Sequence, residues 1–183
     1  MHPSAMQNCI RFFDTYGKHK ESGLVIDIGS QNVNGSLKDA TPARFNYVGL
    51  DFQKADGVDV IITDPYNLPY ADKSVDIVLS SSCLEHSEFF WLSFLEMVRV
   101  VKPDGLIYLN IPSAGQYHPY PVDCWRFRID AAVAFMKWAQ RQGYNPALLE
   151  AYTDAAPPWH DLVCIYAGDM KFVEHYPDRI DLP

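Results

Sequence analysis

The chain has 183 residues, a formal net charge of -8 and a hydrophobic content of 48%. This length suits one domain of ordinary size, and the apolar content supports a real core, which argues against disorder. The acidic balance argues against a broad nucleic-acid-binding surface, because phosphate neutralisation needs clustered Lys and Arg. We therefore expect residues 1–183 to form a single folded domain with no nucleic-acid partner.

The four cysteines are widely separated and form no C-x-x-C pair; they are Cys9, Cys83, Cys124 and Cys164. This spacing argues against a zinc site or a disulfide framework, so we expect reduced, buried thiols. No apolar run approaches the roughly 18 residues that cross a bilayer, and the N-terminus lacks a signal-peptide pattern. The sequence therefore predicts a cytoplasmic protein without membrane insertion and without a metal.

Helical and strand patterns alternate along the chain. In chain order, we expect a helix at 4–16, strands at 24–28, 45–51, 58–64 and 75–80, a helix at 88–102, a strand at 106–112, a long aromatic loop at 113–129, a helix from Asp130 to Gly143, and strands at 147–152 and 161–167. Ser4 and Asp130 are expected to cap their helices, and residues 32–38 to form a short, weak helix. The alternation predicts an α/β fold with a doubly wound, largely parallel sheet.

Polar side chains fall at the carboxyl ends of four predicted strands: Asp27, Asp51, Asp64 and Ser80. In a doubly wound sheet these ends meet at one edge, where ligands bind. Gly29 would let a ligand approach the backbone, and Asp51 could accept both hydroxyls of a ribose. The loop lacks the G-x-G-x-x-G pattern of dinucleotide sites, which disfavours a nicotinamide-dependent oxidoreductase. An acid two residues before the glycine suits a ligand with a cationic end.

Several segments resemble the class I S-adenosylmethionine-dependent methyltransferases, most closely the small type 11-like group. The segments are Val25–Ser30, Asp51, Asp64 with residues 67–76, Leu84–His86 and Arg99–Gly105, and the resemblance covers residues 23–112. It implies a Rossmann-like seven-stranded, mostly parallel sheet with an antiparallel last strand and helices on both faces. It also implies S-adenosyl-L-methionine as cofactor. The cofactor-binding residues that it implies are Asp27, Gly29, Ser30, Gln31, Asp51, Phe52, Asp64, Pro65, Leu68 and Ser81.

Three residues depart from the family pattern. Gln31 and Val33 stand where the second and third glycines of the first motif are expected. Pro65 has no N–H to offer the adenine ring, so Tyr66 or Asn67 would have to supply that contact. These departures keep an alternative open: a methyltransferase-like protein that binds the cofactor without catalysis of its own, as a degenerate or partner subunit.

The loop from Gln116 to Arg128 carries the candidate acceptor site. Class I catalysis needs alignment, plus a base when the nucleophile is a hydroxyl. His118 is the predicted base, with Asp123 orienting it, and His86 is either a second base or a structural residue. Tyr117, Tyr120, Trp125 and Arg126 are the predicted acceptor contacts. The loop resembles an H-x-x-P-x-D-x-W-R-F signature of methyltransferases beside glycan-assembly enzymes.

A histidine base suits a hydroxyl nucleophile, so we expect O-methylation, and the resemblance makes a glycan-linked acceptor an alternative to a small molecule. A rigid lid with an aromatic core is the structural alternative for the same loop. His118, Asp123 and His86 could also imitate a metal site, but their spacing specifies no metal. The oligomeric state is left open by the sequence.

Overall fold

The structure, a computed structural model, describes residues 2–179. The strands are β1 Gly23–Ile28, β2 Phe45–Asp51, β3 Val60–Ile61, β4 Val75–Ser81, β5 Val101–Ile111, β6 Ala147–Thr153 and β7 Leu162–Ala167. The α-helices are α1 Pro3–Thr15, α2 Phe90–Val100 and α3 Asp130–Arg141. None of the helices in the described part of the chain has the length and apolarity to span a membrane.

All these strands form one seven-stranded sheet in the order β3-β2-β1-β4-β5-β7-β6. Strands β1 to β5 pair in parallel, whereas β7 lies antiparallel between β5 and β6. The chain order reverses between β1 and β4, which makes the carboxyl ends of these neighbours the topological switch point of the sheet. The predicted Rossmann-like sheet with an antiparallel last strand is confirmed.

Helices cover both faces of the sheet because its central strands are apolar on both sides. All six residues of β7 are buried, as are the last four of β1. On one face, Phe12 of α1 lies 5.0 Å from the Tyr108 ring of β5. On the other face, Phe94 of α2 lies 4.9 Å from Phe135 of α3 and 5.2 Å from Tyr166 of β7, measured between ring centroids.

Several local predictions were wrong at helix starts and in the first loop. Ser4 lies inside α1, which begins at Pro3 because proline suits the first helical turn. Asp130 is the first residue of α3 and makes no side-chain cap. The weak helix predicted for residues 32–38 is absent, since the side-chain oxygen of Asn32 accepts a hydrogen bond from the Gly35 amide. A 3-10 turn at Leu37–Ala40 follows instead.

Two strands differ from their predicted bounds by more than one residue. β3 is only Val60–Ile61, because the Asp59 carboxylate, rather than a further strand pair, accepts the Gly49 amide at 2.8 Å. β5 begins at Val101, where α2 ends, because Val101 pairs with Val75 before the register shifts. The Pro103–Gly105 segment therefore lies inside β5 rather than before it.

Gly29 and Gly143 give a matched test of backbone strain, because their φ values are +84° and +89°. A Cβ on Gly29 would lie 2.6 Å from Cβ of Cys83, whereas one on Gly143 would meet nothing within 4 Å. We expect Gly143→Ala to lower the free energy of unfolding by about 1–2 kcal/mol through φ strain alone. Gly29→Ala should cost about 2–5 kcal/mol, because overpacking adds about 1–3 kcal/mol. Urea unfolding measures both, and equal losses would contradict the packing argument.

Candidate active site

A cavity of about 730 Å³ lies at the carboxyl ends of β1, β2 and β4, at the switch point of the sheet. Of the residues proposed for a site from the sequence, the structure brings together in its wall Asp27, Gly29, Ser30, Gln31, Asp51, Phe52, Pro65, Ser81, His86, His118 and Tyr120. The proposed residues that lie outside the wall are Asp64, Leu68, Tyr117, Asp123, Trp125 and Arg126. One cavity thus contains both the strand-end acids and the two histidines.

The Asp27 carboxyl is buried at the end of β1 and is only half satisfied. Its Oδ2 accepts a hydrogen bond from the Tyr47 hydroxyl at 2.6 Å, and its Oδ1 has no partner. Burial raises the pKa of Asp27 to about 7, although the Tyr47 hydrogen bond opposes this shift. A buried, unpartnered carboxylate oxygen in a cavity wall fits a cationic donor such as an ammonium group.

Asp51 is fixed at the end of β2 by two backbone amides. Its Oδ2 accepts from the Gln31 amide at 3.1 Å, and its Oδ1 accepts from the Phe52 amide at 2.7 Å. Each carboxylate oxygen retains a second lone pair, which can accept a ligand hydroxyl. The hydrogen bond from the Gln31 amide to Asp51 also connects the loop after β1 to the end of β2. A second hydrogen bond holds this loop in place, because the Ser30 hydroxyl donates to the Gly57 carbonyl at 3.0 Å.

Gly29 plays a different part from the one the sequence suggested. The atoms nearest to a Cβ built there belong to Cys83, in the loop after β4. The glycine therefore permits the close approach of two protein loops beneath the cavity, in addition to its positive φ of +84°.

Gln31, which replaces an expected glycine, connects the first loop to the long aromatic loop. The Tyr120 hydroxyl donates to Gln31 Oε1 at 2.7 Å, and Gln53 Nε2 donates to the Tyr120 oxygen at 2.9 Å. The Tyr120 ring lies 6.5 Å from the rings of both Phe52 and His86. Tyr120 thus bridges the part of the cavity near β2 and the part near the histidines.

The cavity wall beyond β3 is apolar, and the backbone amides near it already donate hydrogen bonds within the protein. The Tyr66 amide donates to Asp64 Oδ1 at 2.9 Å, and the Asn67 amide donates to the Asp64 carbonyl at 3.2 Å. Neither amide is therefore free to replace the N–H that Pro65 lacks. Asp64 is exposed, and Leu68 is buried in the core. The side chains that line the cavity here and can flank a planar ring are Phe52, Ile62, Pro65 and Tyr66.

Three titratable side chains converge on the other side of the cavity. Glu85 Oε1 lies 3.7 Å from His86 Nε2 and 4.0 Å from His118 Nε2. The Glu85 side chain is buried, and neither of its carboxylate oxygens receives a hydrogen bond from another residue. Burial raises the pKa of Glu85 to about 8 and lowers the pKa of His86. Sequence reasoning missed Glu85, although it directly precedes His86 in the loop after β4.

Asp123 and Arg126 lie behind His118. Asp123 Oδ2 accepts from the His118 backbone amide at 2.8 Å and lies 3.4 Å from its Nδ1. Arg126 donates to both oxygens of Asp123 and to the Gln116 carbonyl. These hydrogen bonds hold the pKa of the Asp123 carboxyl well below its usual range. The guanidinium of Arg126 is thus engaged in fixing the loop around His118.

The remaining aromatic residues of the long loop divide between core and solvent. Trp125 donates its indole N–H to the Ser87 carbonyl at 2.9 Å, and its ring lies 5.2 Å from Phe90. Tyr117 is 75% exposed. Trp159, which the sequence analysis did not propose, lines the cavity with its ring 4.5 Å from that of His118. Only the fold could reveal Trp159, because it follows α3 and β6 in the chain.

The fold is a doubly wound sheet with a cavity at its switch point, and comparisons with known proteins indicate which family it resembles. Residues 24–109 match the family model described as a methyltransferase domain. The predicted resemblance to class I S-adenosylmethionine-dependent methyltransferases is thereby confirmed. The curated relatives that match part of this chain are also named methyltransferases.

The curated relatives match only a short segment. A protein from Mycobacterium tuberculosis named an uncharacterized methyltransferase is 54% identical over 43 residues, which is 24% of this chain and 17% of that protein. A Mycobacterium leprae protein of the same description is 51% identical over 43 residues and is covered to 16%. The chain thus matches less than a fifth of the length of these relatives.

Solved structures extend the likeness to the whole fold. The 1,6-didemethyltoxoflavin-N1-methyltransferase of Burkholderia thailandensis, solved with S-adenosylhomocysteine, has a TM-score of 0.67 at 12% identity, with 89% of this chain and 77% of that chain covered. A chain from the complex of the Haloferax volcanii Trm112 methyltransferase activator has a TM-score of 0.60 at 15% identity, with 91% and 95% covered. At these identities the likeness is one of fold.

Proposed function

We propose that this chain transfers a methyl group from S-adenosylmethionine to a hydroxyl of a small-molecule or glycan-linked acceptor. The observation that carries the proposal is the single cavity that joins the strand-end acids Asp27 and Asp51 to the histidines His86 and His118. A methyl donor and an acceptor must meet within such a space, because the reaction depends on alignment of the reacting atoms.

The cofactor half of the cavity fits the chemical groups of S-adenosylmethionine. Asp27 Oδ1, buried and without a partner, would accept the ammonium group of the methionine part. Asp51 would accept the ribose hydroxyls, and Phe52 and Pro65 would flank the adenine ring. When bound, the cofactor supplies a methyl group that leaves the sulfonium sulfur as an acceptor oxygen bonds to it.

His118 is the proposed base for the acceptor hydroxyl. Its Nε2 is directed toward Glu85, and its Nδ1 lies 3.0 Å from the Gln116 carbonyl. Arg126 Nη2 also lies 3.2 Å from this Nδ1, but its two hydrogens have shorter bonds, of 2.8 Å each, to the Gln116 carbonyl and Asp123 Oδ2. The carbonyl therefore favours the proton on Nδ1 and a lone pair on Nε2. Asp123 then acts as a positioning residue, since it holds the His118 backbone and lies beside the imidazole. A base in this half of the cavity is the feature that favours oxygen as the methylated atom.

The acceptor would occupy the space beneath the long loop. Tyr120 and Trp159 present aromatic surface there, and the Trp159 ring lies 4.5 Å from that of His118. Tyr117, which is exposed, remains a proposed contact for any part of the acceptor that extends beyond the cavity. Trp125 and Arg126 would act on the acceptor through the loop conformation that they fix.

A second candidate function is cofactor binding without catalysis. It is favoured by the wall beyond β3, where Pro65 offers no N–H and the neighbouring Tyr66 and Asn67 amides are already engaged. In this case the chain would serve as a partner of another subunit. A chain of this fold in the complex of the Haloferax volcanii Trm112 methyltransferase activator is consistent with a role beside a partner chain.

A methyl-transfer assay separates the two functions. The purified protein is incubated with methyl-labelled S-adenosylmethionine and with small-molecule or glycan fractions of a cell extract. We expect label to enter one fraction, and to be lost with His118→Ala. Binding of S-adenosylhomocysteine without any transfer to either fraction would contradict the catalytic proposal and favour the partner function.

A further inference from the structure

Glu85, His86 and His118 form a compact donor set in the cavity wall. Their nearest ligand atoms, one from each residue, all lie within 4.8 Å of one another. Glu85 is fully buried, and both of its carboxylate oxygens lack a hydrogen bond from any other residue. When it is ionised, a buried carboxylate in this state needs a cation or a donor, and the described protein atoms supply neither.

The two imidazoles are oriented from behind by other groups. His86 donates its Nδ1–H to the Val122 carbonyl, which leaves a lone pair on Nε2. His118 has the Gln116 carbonyl at 3.0 Å and the Asp123 carboxylate at 3.4 Å from its Nδ1. Arg126 Nη2 lies 3.2 Å from the same nitrogen, but its two hydrogens make the shorter bonds to these two acceptors, which leaves Nδ1 as a donor. Both Nε2 atoms therefore point toward Glu85 with a lone pair. Hydrogen bonding of the distal nitrogen to a carbonyl or carboxylate is the usual support of a metal-bound histidine.

We propose that Glu85, His86 and His118 bind a divalent first-row transition ion, such as Zn²⁺, at the acceptor end of the cavity. Two imidazoles and one carboxylate are a donor set that suits such ions better than Mg²⁺ or Ca²⁺, which prefer all-oxygen sites. Ligand bonds of about 2.1 Å require donor atoms about 3.0–3.4 Å apart. The separations of 3.7 Å and 4.0 Å between Glu85 Oε1 and the two Nε2 atoms thus need only small side-chain rotations.

The ion would have open coordination positions facing the cavity, because the three ligands approach it from the wall alone. We assign these positions to an acceptor hydroxyl, an assignment that rests on the proposed methyl transfer. The pKa of this hydroxyl falls when its oxygen binds the ion. The ion and a proton compete for the same lone pair of His118 Nε2. In the ion-bound form His118 is therefore a ligand, and the hydroxyl proton leaves to water rather than to the imidazole.

Titration of the untagged, chelator-treated protein tests the ion site without any acceptor. Co²⁺ is added while the visible absorption is recorded, and Zn²⁺ binding is measured by calorimetry. We expect saturation at one equivalent, and an affinity lowered at least 10-fold by Glu85→Gln and by His118→Ala. His175→Ala, which changes an exposed histidine outside the cavity, should bind as the wild type does. Thermal unfolding of each variant confirms that it is folded.

The outcomes distinguish the ion site from the proposed methyl transfer. Absence of saturable binding, or equal affinity in the wild type and in folded Glu85→Gln, overturns the ion site. Equal tightness for Mg²⁺ and Zn²⁺ overturns the assigned ion class. Methyl transfer that continues unchanged in excess chelator also overturns the assigned role and leaves the transferase proposal standing. One-equivalent binding in a protein that transfers no methyl group upholds the ion site and refutes the transferase proposal.

Discussion

Asp27→Asn should weaken the binding of S-adenosylhomocysteine about 10- to 100-fold, because a charged hydrogen bond contributes about 1.5–3 kcal/mol. The amide keeps the size of the side chain and an oxygen that can accept from Tyr47. It removes the negative charge that would face the ligand ammonium group from the unpartnered Oδ1. Isothermal titration calorimetry at pH 8 measures the loss.

The same carboxyl predicts the pH dependence of binding. The pKa of Asp27 is raised to about 7 by burial, so the group is mostly protonated at pH 6 and mostly ionised at pH 8. Only the ionised form attracts an ammonium group. The affinity of the wild type should therefore rise about 10-fold from pH 6 to pH 8 and then level off.

Two variants control this experiment. Asp39→Asn changes an exposed carboxyl that does not line the cavity, and it should leave both the affinity and its pH profile unchanged. Asp27→Asn should flatten the rise between pH 6 and pH 8, since the titrating group is gone. A rise of the same size in Asp27→Asn would assign the effect to another group and contradict the role of Asp27.

With the acceptor fraction found in the transfer assay, His118→Ala should lower kcat about 100- to 10,000-fold. This is the range expected for the loss of a positioned acid or base. The cavity near β1 and β2 is untouched by this change, so the affinity for S-adenosylhomocysteine should stay within about twofold of the wild type. Initial rates of label transfer, combined with calorimetry, test both expectations.

Asp123→Asn separates positioning from chemistry at the same site. The amide can still accept from the His118 backbone, but it no longer places a negative charge beside the imidazole. Because that charge favours the protonated imidazole, its removal favours the neutral form, and we expect kcat to fall and its dependence on pH to shift to lower pH, with KM little changed. A fall in kcat without any change in the pH profile would indicate a merely structural role. His175→Ala should retain full activity.

The fold was predictable from the sequence because each central strand is an apolar run of a length that only a buried strand accommodates. Residues 24–28 and 45–51 illustrate this, since β1 and β2 lie within one residue of the predicted bounds. The errors fall where local side-chain hydrogen bonds compete with regular structure. The Asn32 side chain accepts a hydrogen bond from the Gly35 amide, which prevents a helix there. The Asp59 carboxylate accepts one from the Gly49 amide, which shortens β3.

The site was predictable only in part, because strand ends are fixed by topology and loops are not. Asp27 and Asp51 line the cavity as members of adjacent strands that end at one edge. Glu85 and Trp159 reach the same cavity from segments more than 70 residues apart, and no periodicity links them. Asp64 follows a strand that ends early, which leaves its carboxylate bound to the Tyr66 amide outside the wall.

A crystal structure of the chain with S-adenosylhomocysteine would test the proposed site most directly. It should show the ligand between Gly29 and Asp51, its ammonium group within hydrogen-bond distance of Asp27 Oδ1 and its ribose hydroxyls at the Asp51 carboxylate. The sulfur atom should face the side of the cavity that contains His118. Ligand density elsewhere on the protein, or an empty cavity at saturating ligand, would contradict a methyltransferase site at this edge of the sheet.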